Sequence, residues 1–123
     1  MPEQTKKQIG NLGEDLAKKF LQKRKYKILD KNYYVKGGEI DLIVKDKTSG
    51  ELVFVEVKTR SSNLGGWPEQ AVNLVKKQRM SKTAEKYLRK NKYLLWQNYR
   101  FDIISVELDN LSRKAKIMHF KYI

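Results

Sequence analysis

The sequence predicts a mixed α/β sandwich whose elements follow the order αβββαββ. A helical pattern opens the chain, three strand-like segments joined by short turns follow it, and a long basic helix precedes two final strands. Three consecutive strands with short connections favour an antiparallel meander within a central mixed sheet. Since 123 residues suffice for one domain with its own core, we expect residues 1–123 to form a single domain.

The two helices are predicted from apolar spacing and from residues that start helices. The first begins at one of two candidate capping boxes, at residues 5–8 or 11–14, and runs to about Lys25. Pro68 suits the first position of the second helix, which runs to about Asn91. The predicted buried side of that helix comprises Val72, Val75, Ala84, Tyr87 and Leu88.

The strands are predicted from β-branched and aromatic residues. They cover residues 26–35, 39–46, 51–60, 99–108 and 114–121. Turn residues separate the first three strands at 36–38 and 46–50. Residues 61–66 are rich in Ser, Asn and Gly, which predicts a flexible loop.

The composition indicates a polyanionic partner. The chain has 27 Lys and Arg residues against 14 Asp and Glu, a formal net charge of +13. Nucleic acid is favoured over a membrane, because no apolar run approaches the roughly 20 residues of a spanning helix. The polar N-terminus shows no signal peptide, so a cytoplasmic protein is expected. With no Cys and with His119 as the single His, any catalysis must use carboxylates, lysines and a hard cation.

Charged residues at alternate positions of two predicted strands form the candidate site. Glu56 and Lys58 share one face of their strand, and Asp41 can lie on the neighbouring strand of the same sheet. Unpaired buried charges are costly, so this arrangement needs a reason. A structural ion pair or a hydrated strand end is one explanation. The presence of Asp41 on the preceding strand favours a functional site instead.

Glu14 has two interpretations that the local sequence does not separate. It can cap the first helix. Alternatively, it is a third carboxylate aimed at the site, with Gly10 and Gly13 letting a phosphate backbone come close.

The second helix is strongly basic. Between Lys76 and Lys92 there are eight Lys or Arg residues and one acid, Glu85. This imbalance is too one-sided for ion pairing along the helix, so a face that contacts phosphates is favoured over a merely solvated one. Four aromatic residues are weaker candidates for base stacking, with packing the favoured role for each: Tyr33, Tyr34, Trp67 and Trp96.

Several of these segments together resemble the YraN-like family of predicted bacterial endonucleases. The matching segments are Gly13-Glu14, GEIDLI at 38–43, FVEVKTR at 54–60, Lys76 and RFD at 100–102. This family is similar to the Holliday-junction resolvases and lies within the PD-(D/E)xK superfamily, which has a restriction-endonuclease-like fold. The chain departs from the superfamily motif at Ile40, where a Pro is usual before Asp41.

The resemblance implies an endonuclease that hydrolyses DNA phosphodiester bonds with Mg²⁺ or Mn²⁺. Asp41 and Glu56 would supply carboxylate ligands, the resemblance adds the backbone carbonyl of Val57, and Glu14 would support the metal. Lys58 would orient or help deprotonate the attacking water. The expected nucleic-acid contacts are Arg60, Lys76, Lys77, Arg79, Lys82 and Lys86.

Two other functions are considered beside this one. A non-catalytic DNA- or RNA-binding protein on the same fold would have its carboxylates paired with Lys or Arg rather than with a metal ion. A basic ribosome-associated protein would explain the charge but not the Asp41, Glu56 and Lys58 set. For the nuclease, DNA is favoured over RNA, structure-selective cleavage is favoured over sequence-specific cleavage, and a weak homodimer is expected from the likeness to resolvases.

Overall fold

A computed structural model describes residues 5–61, 74–92, 97–109 and 111–123. The helices are α1 (Lys6–Lys23) and α2 (Leu74–Lys90), and the strands are β1 (Tyr26–Val35), β2 (Gly38–Asp46), β3 (Leu52–Ser61), β4 (Tyr99–Leu108) and β5 (Ala115–Phe120). The predicted order αβββαββ is confirmed, and the architecture is consistent with a restriction-endonuclease-like fold. Among the described residues, no helix has the length and apolar character needed to cross a bilayer.

One mixed sheet carries the five strands in the order β1-β2-β3-β4-β5. The first three strands form the predicted antiparallel meander. Strand β4 then pairs parallel to β3 along its whole length, from Leu52 opposite Tyr99 to Ser61 opposite Leu108. Strand β5 closes the far edge as an antiparallel partner of β4. The long connection through α2 provides the crossover that a parallel pair requires.

Each face of the sheet has its own hydrophobic core. On one face, Ala17 and Leu21 of α1 pack with β-branched and aliphatic residues of β2, β3 and β4. On the other face, Ala84, Tyr87 and Leu88 of α2 pack with apolar residues of β2 and β3. Because both faces are covered, the central strands are nearly continuous apolar runs, and charges within them stand out.

Two glycines allow the helices to approach the sheet closely. A Cβ on Gly13 of α1 would lie within 2.7 Å of the Thr59 Cβ on β3, and a Cβ on Gly38 would meet the Thr83 hydroxyl of α2. The space at Gly13 is therefore filled by protein, and it does not serve the approach of a phosphate backbone. At Gly10, by contrast, nothing lies within 4 Å of an added Cβ.

The observed element boundaries differ from the predicted ones in a few places. Helix α1 starts from the capping box formed by Thr5 and Gln8, the first of the two candidates. The alternative start at residues 11–14 lies inside the helix, which ends at Lys23 rather than Lys25. The predicted start of α2 at Pro68, Val72 and the loop at 61–66 beyond Ser61 lie outside the described residues.

The prediction that Val75 is buried is wrong, since its side chain is 55% exposed. Ala84, Tyr87 and Leu88 are buried as predicted. Val75 and Ala84 are nine residues apart, and at 3.6 residues per turn that spacing places them on opposite sides of the helix. The two residues therefore cannot share one buried face of α2.

A buried ionic cluster centred on Arg100 joins the start of β4 to the rest of the sheet. The Arg100 guanidinium donates to Asp46 at 3.0 Å, to Glu51 at 2.8 Å and to Asp102 at 3.0 Å. It also donates to the Tyr26 hydroxyl at 3.0 Å. Burial opposes ionisation of Asp46, but hydrogen bonds from the Thr48 amide and from Arg100 lower the pKa of Asp46 to about 2. The cluster therefore stays charged at neutral pH.

Arg100→Ala should lower the free energy of unfolding by about 3–5 kcal/mol, because it leaves buried carboxylates without their cation. Urea denaturation at pH 7 measures this change. Arg89→Ala is the matched control, since Arg89 pairs with Glu85 on the exposed side of α2 and such pairs contribute only about 0.3–0.5 kcal/mol. Equal losses in the two variants would contradict a stabilising role for the Arg100 cluster.

Candidate functional site

The candidate site begins where the ladder between β2 and β3 ends. The last paired residues are Leu42 and Val55. Beyond them, the Asp41 side chain takes the place of a backbone acceptor, and its Oδ2 accepts a hydrogen bond from the Val57 amide at 2.8 Å. In an extended strand, the N–H and the C=O of one residue point to the same side, and the Val57 N–H points toward Asp41. The Val57 carbonyl therefore faces the gap that Asp41 borders.

A pocket of about 500 Å³ opens at this gap. Four carboxylate residues line it: Glu14, Glu39, Asp41 and Glu56. Its basic lining residues are Lys6, Lys58 and Arg60. We call this space the carboxylate pocket. The predicted convergence of α1, β2 and β3 on one site is thus present, with Val57 also in the lining.

Asp41 is the most strongly perturbed acid in the carboxylate pocket. Its side chain is buried, and the residue is 6% exposed. Burial, followed by the negative charge of Glu56, raises the pKa of Asp41 from its usual 3.8 to about 8. The charges of Glu14 and Glu39 act in the same direction, and the Val57 hydrogen bond opposes them. A cation placed in the pocket would relieve this repulsion and favour the charged form.

Glu56 and Lys58 flank Val57 on β3. Glu56 is buried, and its Oε1 forms an ion pair with the Lys76 ammonium of α2. Lys58 is half-buried and lines the carboxylate pocket. The structure thus brings Lys76 to a carboxylate, whereas the sequence predicted that Lys76 contacts phosphate.

Glu14 faces the site from α1, where the close contact between Gly13 and Thr59 holds the helix against β3. The Asn32 side chain lies 3.2 Å from both Glu14 carboxylate oxygens, in the orientation that turns its amide nitrogen toward them. Burial raises the pKa of Glu14, and the Asn32 hydrogen bond opposes that shift. Glu14 lies well inside α1, which starts at Lys6, so it does not cap the helix.

Apart from Lys76, which pairs with Glu56, the predicted basic contacts divide into three groups. Arg60 lines the carboxylate pocket, as Lys58 does. Helical spacing places Arg79, Lys82 and Lys86 on one stripe of α2, and we call it the basic stripe. Lys77 is exposed, but two residues before Arg79 it lies on the other side of the helix, away from the stripe.

Comparison with known proteins identifies the family. Residues 13–106 match the model described as "Uncharacterised protein family UPF0102". The chain belongs to UPF0102. A UPF0102 protein of Dictyoglomus turgidum is 42% identical over 118 residues, which cover 95% of this chain and 94% of that protein. A UPF0102 protein of Clostridium beijerinckii is 45% identical over 115 residues, covering 94% and 91% of the two chains. These names state no activity.

The donor set of this UPF0102 chain suits a hard cation such as Mg²⁺, which favours oxygen ligands and keeps several waters. Asp41 and Glu56 offer carboxylate oxygens, and the Val57 carbonyl faces the same gap. Within the described ranges, no three His, Cys, Asp or Glu side chains are close enough to hold an ion by themselves. A site built on one or two carboxylates, a carbonyl and waters fits this oxygen donor set and does not need a third protein side chain.

Two features of the UPF0102 site were not anticipated from the sequence. The contact of Asn32 with Glu14 was not predicted. The only sequence signal for this position is the residue type, since Asn tolerates the left-handed backbone that Asn32 adopts, at φ 49°. The RFD segment, which belongs to the family resemblance, lies in the Arg100 cluster rather than in the carboxylate pocket. There Asp102 is fully buried and also contacts His119 at 2.7 Å.

Asp41→Asn should stabilise the metal-free protein increasingly as the pH rises from about 4 to about 8. A carboxyl with a pKa of 3.8 when unfolded and about 8 when folded keeps its proton in the folded state, so wild-type stability falls across that interval. The amide removes this penalty and retains an acceptor for Val57. We expect a gain on the order of 2 kcal/mol near pH 8.

Thermal unfolding in EDTA at several pH values measures this difference between variant and wild type. Asp30→Asn, at an exposed carboxylate on β1, is the matched control and should leave the pH dependence unchanged. If Asp41→Asn destabilised the protein equally at every pH, the repulsion assigned to the carboxylate pocket would be wrong.

Proposed function

We propose that this UPF0102 protein is a Mg²⁺- or Mn²⁺-dependent endonuclease that hydrolyses phosphodiester bonds in DNA and selects structure rather than sequence. The observation that carries the proposal is the carboxylate pocket. There, Asp41 of β2 and Glu56 of β3 lie where the two strands diverge. Lys58, also on β3, lines the same pocket. The likeness of the chain to the PD-(D/E)xK superfamily supports the same reaction.

Each residue of the carboxylate pocket has its own role in the proposed reaction. Asp41 and Glu56, with the Val57 carbonyl, would hold the cation, and Glu14 would support it from α1. A bound Mg²⁺ would offset the negative charge that builds on the phosphate during hydrolysis. The Lys58 ammonium would orient the attacking water and stabilise charge near the scissile phosphate.

Substrate binding is assigned to the basic stripe of α2 and to Arg60. Phosphate contacts position a protein on DNA but carry no sequence information. The described residues belong to the sheet, its two helices and their connections, so base reading by a separate module is not part of the proposal. Selectivity would come from DNA shape, because a junction or flap presents phosphates at spacings that a straight duplex lacks.

A non-catalytic nucleic-acid-binding protein is the second candidate, and one contact favours it. Lys76 pairs with Glu56, so one of the two main carboxylates already has a cation partner. The strongest charges acting on Asp41 are, in contrast, those of other carboxylates. We prefer the nuclease because this pairing leaves the Asp41 repulsion in place, whereas a divalent cation would relieve it.

Asp41→Asn and Glu56→Gln should each abolish metal-dependent cleavage while leaving DNA affinity similar or higher, since both remove negative charge near the phosphate. Lys58→Ala should lower the cleavage rate by about 10²-fold or more with a smaller effect on metal affinity. The assay compares duplex, nicked, flapped and four-way DNA with Mg²⁺ or Mn²⁺. Metal affinity is measured by calorimetry.

Asp30→Asn is the matched control for both carboxylate variants and should cleave as the wild type does. The binding-protein candidate makes the opposite prediction for the wild type. If the wild-type protein bound all four DNA substrates and cut none of them with either metal, the endonuclease proposal would be overturned.

Charge reversal on the basic stripe should weaken the salt dependence of DNA binding. Each phosphate contact contributes about −0.9 to the slope of log affinity against log salt concentration on duplex DNA. Lys82→Glu with Lys86→Glu should therefore flatten that slope. The matched control reverses Lys114 and Lys116, which are exposed at the other edge of the sheet. Equal slopes for wild type and the α2 variant would place the binding face elsewhere.

A further inference from the structure

A second cleft adjoins the carboxylate pocket. It has a volume of about 850 Å³ and lies between the β1–β2 turn and the first turns of α2. We call it the Tyr34 cleft. The lining residues used here are Tyr34, Glu39, Glu56, Val75, Lys76 and Arg79.

The two spaces share part of their lining. Glu39 and Glu56 belong both to the Tyr34 cleft and to the carboxylate pocket. A nucleic-acid strand with one phosphate at the carboxylates would therefore bring a neighbouring nucleotide to the cleft. The nucleotide in the cleft would be adjacent to the site of hydrolysis.

Tyr34 differs from its neighbour Tyr33 in the packing of its ring. The Tyr33 ring contacts the Tyr87 ring edge-on at 5.1 Å between centroids, so it belongs to the α2-side core. Tyr34 is 69% exposed, and Glu39 is its cross-strand partner on β2. An exposed aromatic ring therefore belongs to the lining of the cleft. Trp67 and Trp96, the other stacking candidates, lie outside the described residues.

The charges around the cleft suit a nucleotide that enters with its phosphate toward α2. Lys76 and Arg79 line the cleft from α2. Lys86, also on the basic stripe, donates to the Lys36 carbonyl at 3.3 Å, which brings the stripe to the β1–β2 turn. Basic groups thus lie on the α2 side of the cleft, and the aromatic ring lies on the β1 side.

We propose that the Tyr34 cleft binds one unpaired nucleotide of DNA, with its base stacked on Tyr34 and its phosphate at the Lys76 and Arg79 side. A base within a duplex would first have to leave its stack to reach this position. The inference rests on the proposed function and names its substrate class: DNA with an unpaired nucleotide beside the scissile phosphate, as in a flap or an open junction.

The test measures binding in EDTA, so that it does not depend on cleavage. Fluorescence anisotropy compares a flapped duplex with a blunt duplex of equal length, and 2-aminopurine in the flap reports stacking. Tyr34→Ala should weaken flap binding by about tenfold, given the usual contribution of aromatic stacking, and leave blunt-duplex affinity unchanged. Tyr34→Phe should keep wild-type preference, and the 2-aminopurine quenching should be lost only in the Ala variant.

Tyr122→Ala is the matched control, because Tyr122 is also exposed, at 65%, but lines a different pocket. Equal flap affinity for Tyr34→Ala and wild type would overturn the inference, as would equal losses on both substrates. An RNA flap of the same sequence that bound more tightly than DNA would overturn the assignment to DNA. Absence of cleavage would overturn the proposed function without deciding this binding result.

Discussion

The geometry of the carboxylate pocket depends on one event in the sheet, the end of the β2–β3 ladder at Leu42 and Val55. Strand β3 continues past this point because β4 pairs with it as far as Ser61. Strand β2 leaves β3 at the same point, and the Asp41 side chain accepts the Val57 amide hydrogen bond. A rigid strand beside a diverging one creates a gap whose edges carry backbone groups and carboxylates. Such a gap can position ligands without a mobile loop.

The pocket is costly to the fold, and the packing around it offsets that cost. Burial penalises the charged form of Asp41, and the negative charges of Glu56, Glu14 and Glu39 add to that penalty. Hydrophobic cores on both faces of the sheet, and the Arg100 cluster away from the pocket, contribute stability. Stability lost at a functional site in exchange for activity is a common feature of enzymes. The two buried charged regions therefore differ. Arg100 supplies a cation to its own cluster, whereas no Lys, Arg or His in the described part of the chain forms an ion pair with Asp41.

The fold was predictable from the sequence because the strands and helices that the local residue patterns predict are the ones that the structure contains. The strand segments, their order and the meander all follow from β-branched residues and short turns. The buried face of a helix was harder to predict, as the exposed Val75 shows. A few apolar residues do not determine which side of the helix packs against the sheet. The contacts of Glu56 with Lys76 and of Glu14 with Asn32 could not be predicted, since each joins elements whose relative placement only tertiary packing determines.

Lys76 occupies the point where the two spaces meet. It lines the Tyr34 cleft, and its ammonium pairs with Glu56 of the carboxylate pocket. A phosphate bound in the cleft would compete with the Glu56 carboxylate for this ammonium. A strand that drew Lys76 toward its phosphate would leave Glu56 free to act as a ligand, so substrate binding and metal binding would favour each other. Such mutual favouring is reciprocal by thermodynamic linkage, and it would give one lysine a role in both spaces.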